Sequence, residues 1–213
     1  HSGAAGRAPA IRRSAEGTVR IGATAALPSV LRRLGADPAR LMAEAGFDLA
    51  LFDDPDNEIS FAARNRLLAH CVASTGCRHL GLLVGAEAGL HSLGIVGLLV
   101  KYSPDVETAL RSLVRYMHHH VRGAVTTLVV DDGLATLSYD IYQPHTEALD
   151  QVGSGAIAIL VNIMRDLCGP DWKPTEVWFA HPPPADAEPF QRYFPAPLRV
   201  DAERNAVVFA AAW

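Results

Sequence analysis

The sequence has no excess of positive charge and no long apolar run. Its 19 Lys and Arg residues against 23 Asp and Glu leave a formal net charge of -4. The chain therefore has no surplus cations to neutralise phosphates, and we expect it to bind DNA and RNA poorly by itself. No apolar stretch approaches the ~20 residues that cross a bilayer, which predicts no contact with a membrane.

Cysteine is also scarce, and the motifs of common enzymes are missing. Cys71, Cys77 and Cys168 are odd in number and lack metal-ligand spacing, which is typical of reduced thiols in a cytoplasmic protein. The sequence contains no nucleophile elbow, phosphate-binding glycine loop, zinc-protease motif or carboxylate pair. It therefore does not support an enzyme, and it predicts neither a cofactor nor a metal.

The first 17 residues differ from the remainder. They are rich in Ala, Gly, Arg and Ser but have no apolar core, so residues 1–17 are predicted to be a flexible tail or tag remnant. Residues 18–213 are long enough to bury a sizeable core and form the predicted domain.

Helical signals fill the first half of this domain. Residues 19–34 show helical apolar spacing, and Pro28 inside this stretch indicates either a kink or a helix that begins near Leu27. Asp37, Ser60 and Asp105 each precede a further helical segment in the position of an N-cap.

The pattern changes after Gly123. Residues 124–130 and 134–142 are rich in β-branched and aromatic residues and flank Asp131-Asp132-Gly133, a hairpin signal. A helix over 146–168 follows, and because it carries almost no charge in its middle it is predicted to be buried across the sheet. Shorter strands over 176–180, 198–200 and 206–209 and a helix over 187–194 close the chain. The expected fold is α+β, with a helical N-terminal half packed on a small antiparallel sheet crossed by a long buried helix.

Two local motifs allow more than one interpretation. Gly153-Ser154-Gly155 begins a match to the dinucleotide-binding pattern, but a strand should precede that pattern and here a helix does. We interpret these residues as small side chains that let a buried helix pack closely. His118, His119 and His120 are consecutive, so on a regular helix they point about 100° apart and cannot all ligate one metal. Capping, packing or exposure is favoured, one ring turned inward toward a polar ligand is a further reading, and a metalloprotein is the remaining alternative.

Aromatic and histidine side chains are the natural lining of a ligand pocket, since each combines an apolar body with a polar tip. The candidate ligand-binding residues are Tyr102, Tyr116, His119, His120, Tyr139, Tyr142 and Trp178.

Three sets of residues resemble a known family. Near the end they are Phe179, His181, Pro182, Pro184, Tyr193, Phe194, Pro197, Asn205 and Val208-Phe209. Near the beginning they are Gly35, Asp37, Leu41, Ala45-Gly46, Asp54-Pro55-Asp56 and Ile59, and in the middle Gly94, Gly97, Ser103 and Arg115-Tyr116. Together they resemble the N-terminal effector domain, of the arabinose-binding type, of AraC-type transcriptional regulators.

The resemblance implies a domain that binds a small-molecule effector and thereby controls an attached C-terminal helix-turn-helix region. Promoter DNA would be contacted only through that region, which would begin where this sequence stops, at Trp213. A second copy of the chain is a further expected partner. The alternative is a dimerisation module of the same regulator that binds no ligand.

Overall fold

Helices occupy the first half of the chain in the computed structural model, which describes residues 16–182 and 186–212. Most of the predicted tail, residues 1–15, lies outside this part of the chain, as do residues 183–185 of the proline-rich corner. The six helices are α1 Leu27–Arg33, α2 Pro38–Glu44, α3 Phe61–Thr75, α4 Leu80–Gly85, α5 Ile95–Lys101 and α6 Val106–Tyr116.

Side-chain caps begin three of these helices, as predicted. Asp37 accepts a hydrogen bond from the Ala39 amide at 3.0 Å, and Asp105 accepts one from Thr108 at 2.7 Å. The Ser60 hydroxyl accepts the Ala63 amide at 3.1 Å and so begins α3. Each cap satisfies an amide that has no partner inside the helix.

The first strand of a two-stranded sheet precedes α1, and here the helical prediction for residues 19–34 was wrong at its start. Strand β1 (Thr18–Arg20) pairs antiparallel with β2 (Glu58–Ser60), with Val19 opposite Ile59. The helix begins at Leu27, as Pro28 indicated. Strand β1 has only three residues, and its partners lie some 40 positions away in the sequence. Such a strand cannot be predicted from periodicity, because periodicity compares only neighbouring residues.

The second sheet has five strands: β3 Ala124–Asp131, β4 Leu134–Ile141, β5 Glu176–Trp178, β6 Leu198–Arg199 and β7 Asn205–Ala210. Their order is β3-β4-β7-β5-β6. All neighbours run antiparallel except β5 and β6, which are parallel. The predicted hairpin joins β3 to β4, with Asp132 and Gly133 both at positive φ (46° and 76°) as a tight turn of matching twist requires. The α+β fold is confirmed.

The long helix α7 (Leu149–Cys168) lies between α4 and strands β4 and β7. It begins three residues later than predicted because the chain turns through left-handed conformations at His145 and Ala148. Close packing confirms the interpretation of its small residues. A Cβ on Gly85 of α4 would stand 2.3 Å from the Gly155 carbonyl oxygen of α7, so the two helices touch backbone to backbone.

Aromatic side chains form a cluster in the C-terminal part of the chain. Phe179, after β5, packs edge-on against Phe190 of α8 (Glu188–Tyr193) and against Phe194, with ring centroids 5.6 Å apart in both pairs. Asn162 of α7 accepts the Tyr193 hydroxyl at 2.7 Å and so ties α8 to the long helix. Across residues 16–182 and 186–212, no helix combines the length and apolarity needed to traverse a bilayer.

Candidate functional site

A cavity lies where the helical half meets α7 and strand β4. Its walls come from β1, α3, α4, the turn after α6, β4 and α7, and most of the surface is apolar. The space open to the centre of a water-sized sphere is about 60 Å³. Since one water needs roughly 10–15 Å³ by that measure, the cavity is large enough for a small organic molecule.

Arg64 is the charged group of this cavity. It lies on the buried face of α3 with 6% of its surface exposed. Its guanidinium carbon stands 4.8 Å from the Phe61 ring centroid, and Nε donates to the Asn65 side-chain oxygen at 2.5 Å. Nη2 has no hydrogen-bond partner among the described residues. Burial lowers the pKa of Arg64, and the neighbouring Tyr139 phenol opposes that effect.

His120 presents its imidazole to the same cavity. The residue is 5% exposed, and neither ring nitrogen has a partner in the part of the chain that the structure describes. Its backbone is held by two hydrogen bonds: its amide donates to Met117 at 2.8 Å, and its carbonyl accepts the Arg20 amide of β1 at 3.0 Å. Burial first, then the charges of Arg64 and Arg20, lower the pKa of His120 to about 4, so the ring is neutral near pH 7.

Tyr139 and Gln151 complete the polar part of the lining. Tyr139 points inward from β4, and burial raises the pKa of its phenol. Gln151, near the start of α7, accepts the Gly81 amide at 2.8 Å and donates to the Arg78 carbonyl at 2.8 Å. Its amide is therefore engaged in joining α7 to α4, whereas Arg64 and His120 hold free hydrogen-bonding capacity.

The structure brings two of the seven predicted ligand-binding residues to the cavity, His120 and Tyr139. Tyr102 is 77% exposed at the end of α5, and Tyr142 is 62% exposed with its hydroxyl accepting the Gly123 amide. Trp178, on β5, is half-buried and donates to Glu176 at 2.7 Å. None of these three lines the cavity.

The other two predicted residues lie near His120 but face elsewhere. Tyr116 is half-buried and stacks on the exposed His119 ring, with centroids 6.3 Å apart. His118 also packs against His119, at 4.0 Å, and its Nδ1 lies 3.0 Å from the Arg115 carbonyl. His118 and His119 therefore pack together at the surface, while His120 is buried. Among the described residues, no three His, Cys, Asp or Glu side chains form a group that could hold a metal.

Sequence reasoning missed Arg64, although its position carried a signal. The residue lies three positions after Phe61 and four before Leu68, both large apolar residues of the same helical segment. Residues at these spacings share one helix face. An arginine on an apolar stripe is rarely buried without a partner, and that conflict was the available indication of a site.

Comparison with known proteins places this arrangement in a family. Residues 35–213 match the family described as the arabinose-binding domain of AraC transcription regulators, N-terminal. The ornithine utilization regulator of Pseudomonas aeruginosa is 30% identical over 165 residues, which cover 78% of this chain and 47% of that protein.

A solved structure shares the fold. The crystal structure of the transcriptional regulator CdpR from Pseudomonas aeruginosa superposes with a TM-score of 0.57 at 16% identity, over 87% of this chain and 54% of that one. The chain thus spans about half the length of the two relatives it matches. On the family match to most of its length, the chain belongs to the arabinose-binding N-terminal domain family of AraC-type transcription regulators.

Proposed function

We propose that this chain is the effector-sensing domain of a transcription regulator, and that the effector binds in the cavity between the helical half and β4. The observation that supports this most directly is buried Arg64, which lines a mostly apolar cavity and whose Nη2 has no hydrogen-bond partner among the described residues. Leaving such a group without a hydrogen bond costs free energy, and a bound molecule would supply the missing acceptor.

No serine, cysteine, aspartate or glutamate of the described residues lines the cavity. Thr24 does line the cavity. Its hydroxyl donates to the Ile21 carbonyl at 3.2 Å and is therefore not hydrogen-bonded to a base, as an activated nucleophile would be. The relatives are named as regulators. Binding without turnover is therefore the activity we propose.

The position of the cavity suggests how binding would be transmitted. Its wall includes the turn that carries His120, and β1 is hydrogen-bonded to that turn. An effector that fits one arrangement of β1 and the turn better than another shifts the population between them, and this differential affinity is what switches a regulator. We place the contact with promoter DNA in an attached helix-turn-helix region and the whole regulator in the cytoplasm, in keeping with the net charge of -4 on this chain.

A thermal-stability screen tests the proposal. At a concentration of about 100 Kd, a ligand stabilises the folded state by about 2.7 kcal/mol. For a domain of this size that corresponds to an increase in Tm of roughly 5–10 °C. The Ala156→Phe variant fills the cavity from α7, and Leu149→Phe makes the same kind of change at an exposed position of α7 as the control.

We expect at least one small metabolite to raise the Tm of the wild-type chain and of Leu149→Phe but not of Ala156→Phe. If no metabolite separates Ala156→Phe from the other two proteins, the cavity is not an effector site.

A second candidate function, a dimerisation module, has an observation of its own. The outer face of α5 exposes four large apolar side chains at helical spacing: Ile95, Leu98, Leu99 and Tyr102. A contiguous apolar stripe of this kind is typical of a protein interface. Sedimentation of Leu98→Glu tests it, with Val130→Glu as a control at an exposed apolar position on β3. A dimer that dissociates only in Leu98→Glu supports the second function, and a monomeric wild-type chain rules it out.

A further inference from the structure

The cavity has the chemistry of an anion site at one end. Arg64 carries a positive charge, and only 6% of its surface is exposed to solvent. The pKa of Arg64 is affected by burial and by Tyr139, and by no carboxylate in the described part of the chain. A buried cation without a counter-charge is costly. Among small ligand groups, a carboxylate best matches the planar fork of a guanidinium.

His120 adds a second donor beside this cation. Because the ring is neutral near pH 7, it carries one N–H and one bare nitrogen, and neither is used by the described residues. Arg64 and His120 line the same cavity, and the charge of Arg64 contributes to the lowered pKa of His120. A carboxylate bound to Arg64 could therefore accept a second hydrogen bond from His120.

Apart from Thr24, Tyr139 and Gln151, the remainder of the described lining is apolar, and it contains no acid. The apolar lining includes Leu68, Val84, Leu93, Val152, Ile159 and Leu160. No Asp or Glu of the described residues lines the cavity. An ammonium group on a ligand would lose its hydration there without gaining a counter-charge, and this loss is costly. The cavity therefore favours an apolar body and disfavours amino acids.

The volume of the cavity limits the size of the ligand. The open space of about 60 Å³ corresponds to roughly four to six times the minimum for one water, which suits a ligand on the order of five to ten non-hydrogen atoms.

We infer that the effector is a small carboxylic acid with an apolar body and no amino group, its carboxylate bound to Arg64 and His120. This inference rests on the proposed function and specifies the ligand class of the same site. The inferred ligand class excludes ornithine, which carries two amino groups, although one relative is named the ornithine utilization regulator.

Matched ligands test the inference on the unmodified chain. Isovalerate, hexanoate and benzoate are each compared with the corresponding neutral amide, and isovalerate also with valine, which adds only an α-amino group. Affinities are measured by titration calorimetry on the full chain. Since a hydrogen bond to a charged group is worth about 1.5–3 kcal/mol, we expect the best acid to bind about 10- to 100-fold more tightly than its amide. Valine and ornithine should bind no better than the amide.

Two variants of α3 assign the effect to one side chain. Arg64→Gln removes the buried charge, and Arg66→Gln removes an exposed charge two residues away on the same helix. We expect Arg64→Gln to lower the affinity for the acid to that for the amide while leaving the affinity for the amide nearly unchanged. Arg66→Gln should bind both like the wild type. Far-UV circular dichroism shows whether Arg64→Gln is folded, and the comparison of acid with amide stands without any variant.

The outcomes separate the two proposals. If amides or amino acids bind as tightly as the acids, or if Arg64→Gln keeps the preference for the acid, the ligand class is wrong and the sensing function stands. If neither these compounds nor the metabolite screen stabilises the chain, the cavity holds water alone and both proposals fail.

Discussion

Acidification should destabilise this protein through His120. The folded state lowers the pKa of this imidazole from 6.5 to about 4, and the unfolded chain restores it. Between these values the unfolded state binds more protons than the folded state, so stability falls as the pH falls through this window. Linkage then gives a loss of about 2 kcal/mol between about pH 8 and pH 5, approaching roughly 3 kcal/mol below pH 4.

The physical origin of this loss lies in the groups around the ring. Burial is the largest cause, the charges of Arg64 and Arg20 add to it, and Asp56 acts in the opposite direction. Protonation would place a second positive charge on a buried group of the cavity that Arg64 also lines. Water hydrates both charges in the unfolded chain, and burial in the folded state reduces this hydration.

Urea unfolding at a series of pH values measures the effect. Other groups titrate over the same range, so the informative quantity is the difference between the wild type and His120→Phe, which keeps an aromatic ring but cannot take up a proton. The wild type should lose about 2 kcal/mol more than His120→Phe on going from about pH 8 to pH 5. His119→Phe serves as the control, because His119 is exposed and keeps its hydration. Parallel pH profiles for wild type and His120→Phe would refute the reasoning.

Three further predictions concern packing, hydrogen bonding and reactivity. Gly85→Ala should lower the urea midpoint, with a cost of about 1–3 kcal/mol, because the added methyl would stand 2.3 Å from the Gly155 carbonyl oxygen; an unchanged midpoint would mean that α4 and α7 are not in backbone contact. Asn162→Ala should lose about 2–4 kcal/mol of unfolding free energy, since its amide donates to two backbone carbonyls after α4, at 3.0 and 2.8 Å, and accepts the Tyr193 hydroxyl. Tyr193→Phe should lose about 1 kcal/mol in the same assay, and equal losses for the two variants would contradict this division. Burial raises the pKa of Cys71 to about 11, so near pH 8 only about one thiol in a thousand is ionised and a thiol reagent should modify it slowly until urea is added. Rapid modification of the native protein at Cys71 would show that the residue is not buried.

Much of the secondary structure could be predicted from local signals. The cap at Asp37, the turn at Asp132-Gly133 and the uncharged middle of α7 each act over a few residues, and the structure has the expected element at each place. Boundaries were less well predicted where the chain reverses. The left-handed residue Ala148 delays the start of α7 to Leu149.

The candidate site was harder to predict. Aromatic composition pointed toward Tyr139, and the unusual histidine run pointed toward His120, both of which the structure places at the cavity. The same criterion also selected Tyr102, whose chemistry is equally suitable but whose position on α5 is exposed. Their roles in binding stay predictions that the titrations above address.

By itself, the sequence determined the helical first half, the hairpin, the buried long helix and the family, because caps, turns, periodicity and spaced motifs act between neighbours along the chain. Only the tertiary structure decided which polar groups meet. Arg64, His120 and Tyr139 come from elements far apart in sequence. They share one cavity because glycines let α4 and α7 approach closely and because β1 holds the turn at His120 in place. Such long-range contacts depend on how whole elements pack, and no local pattern of residues encodes them.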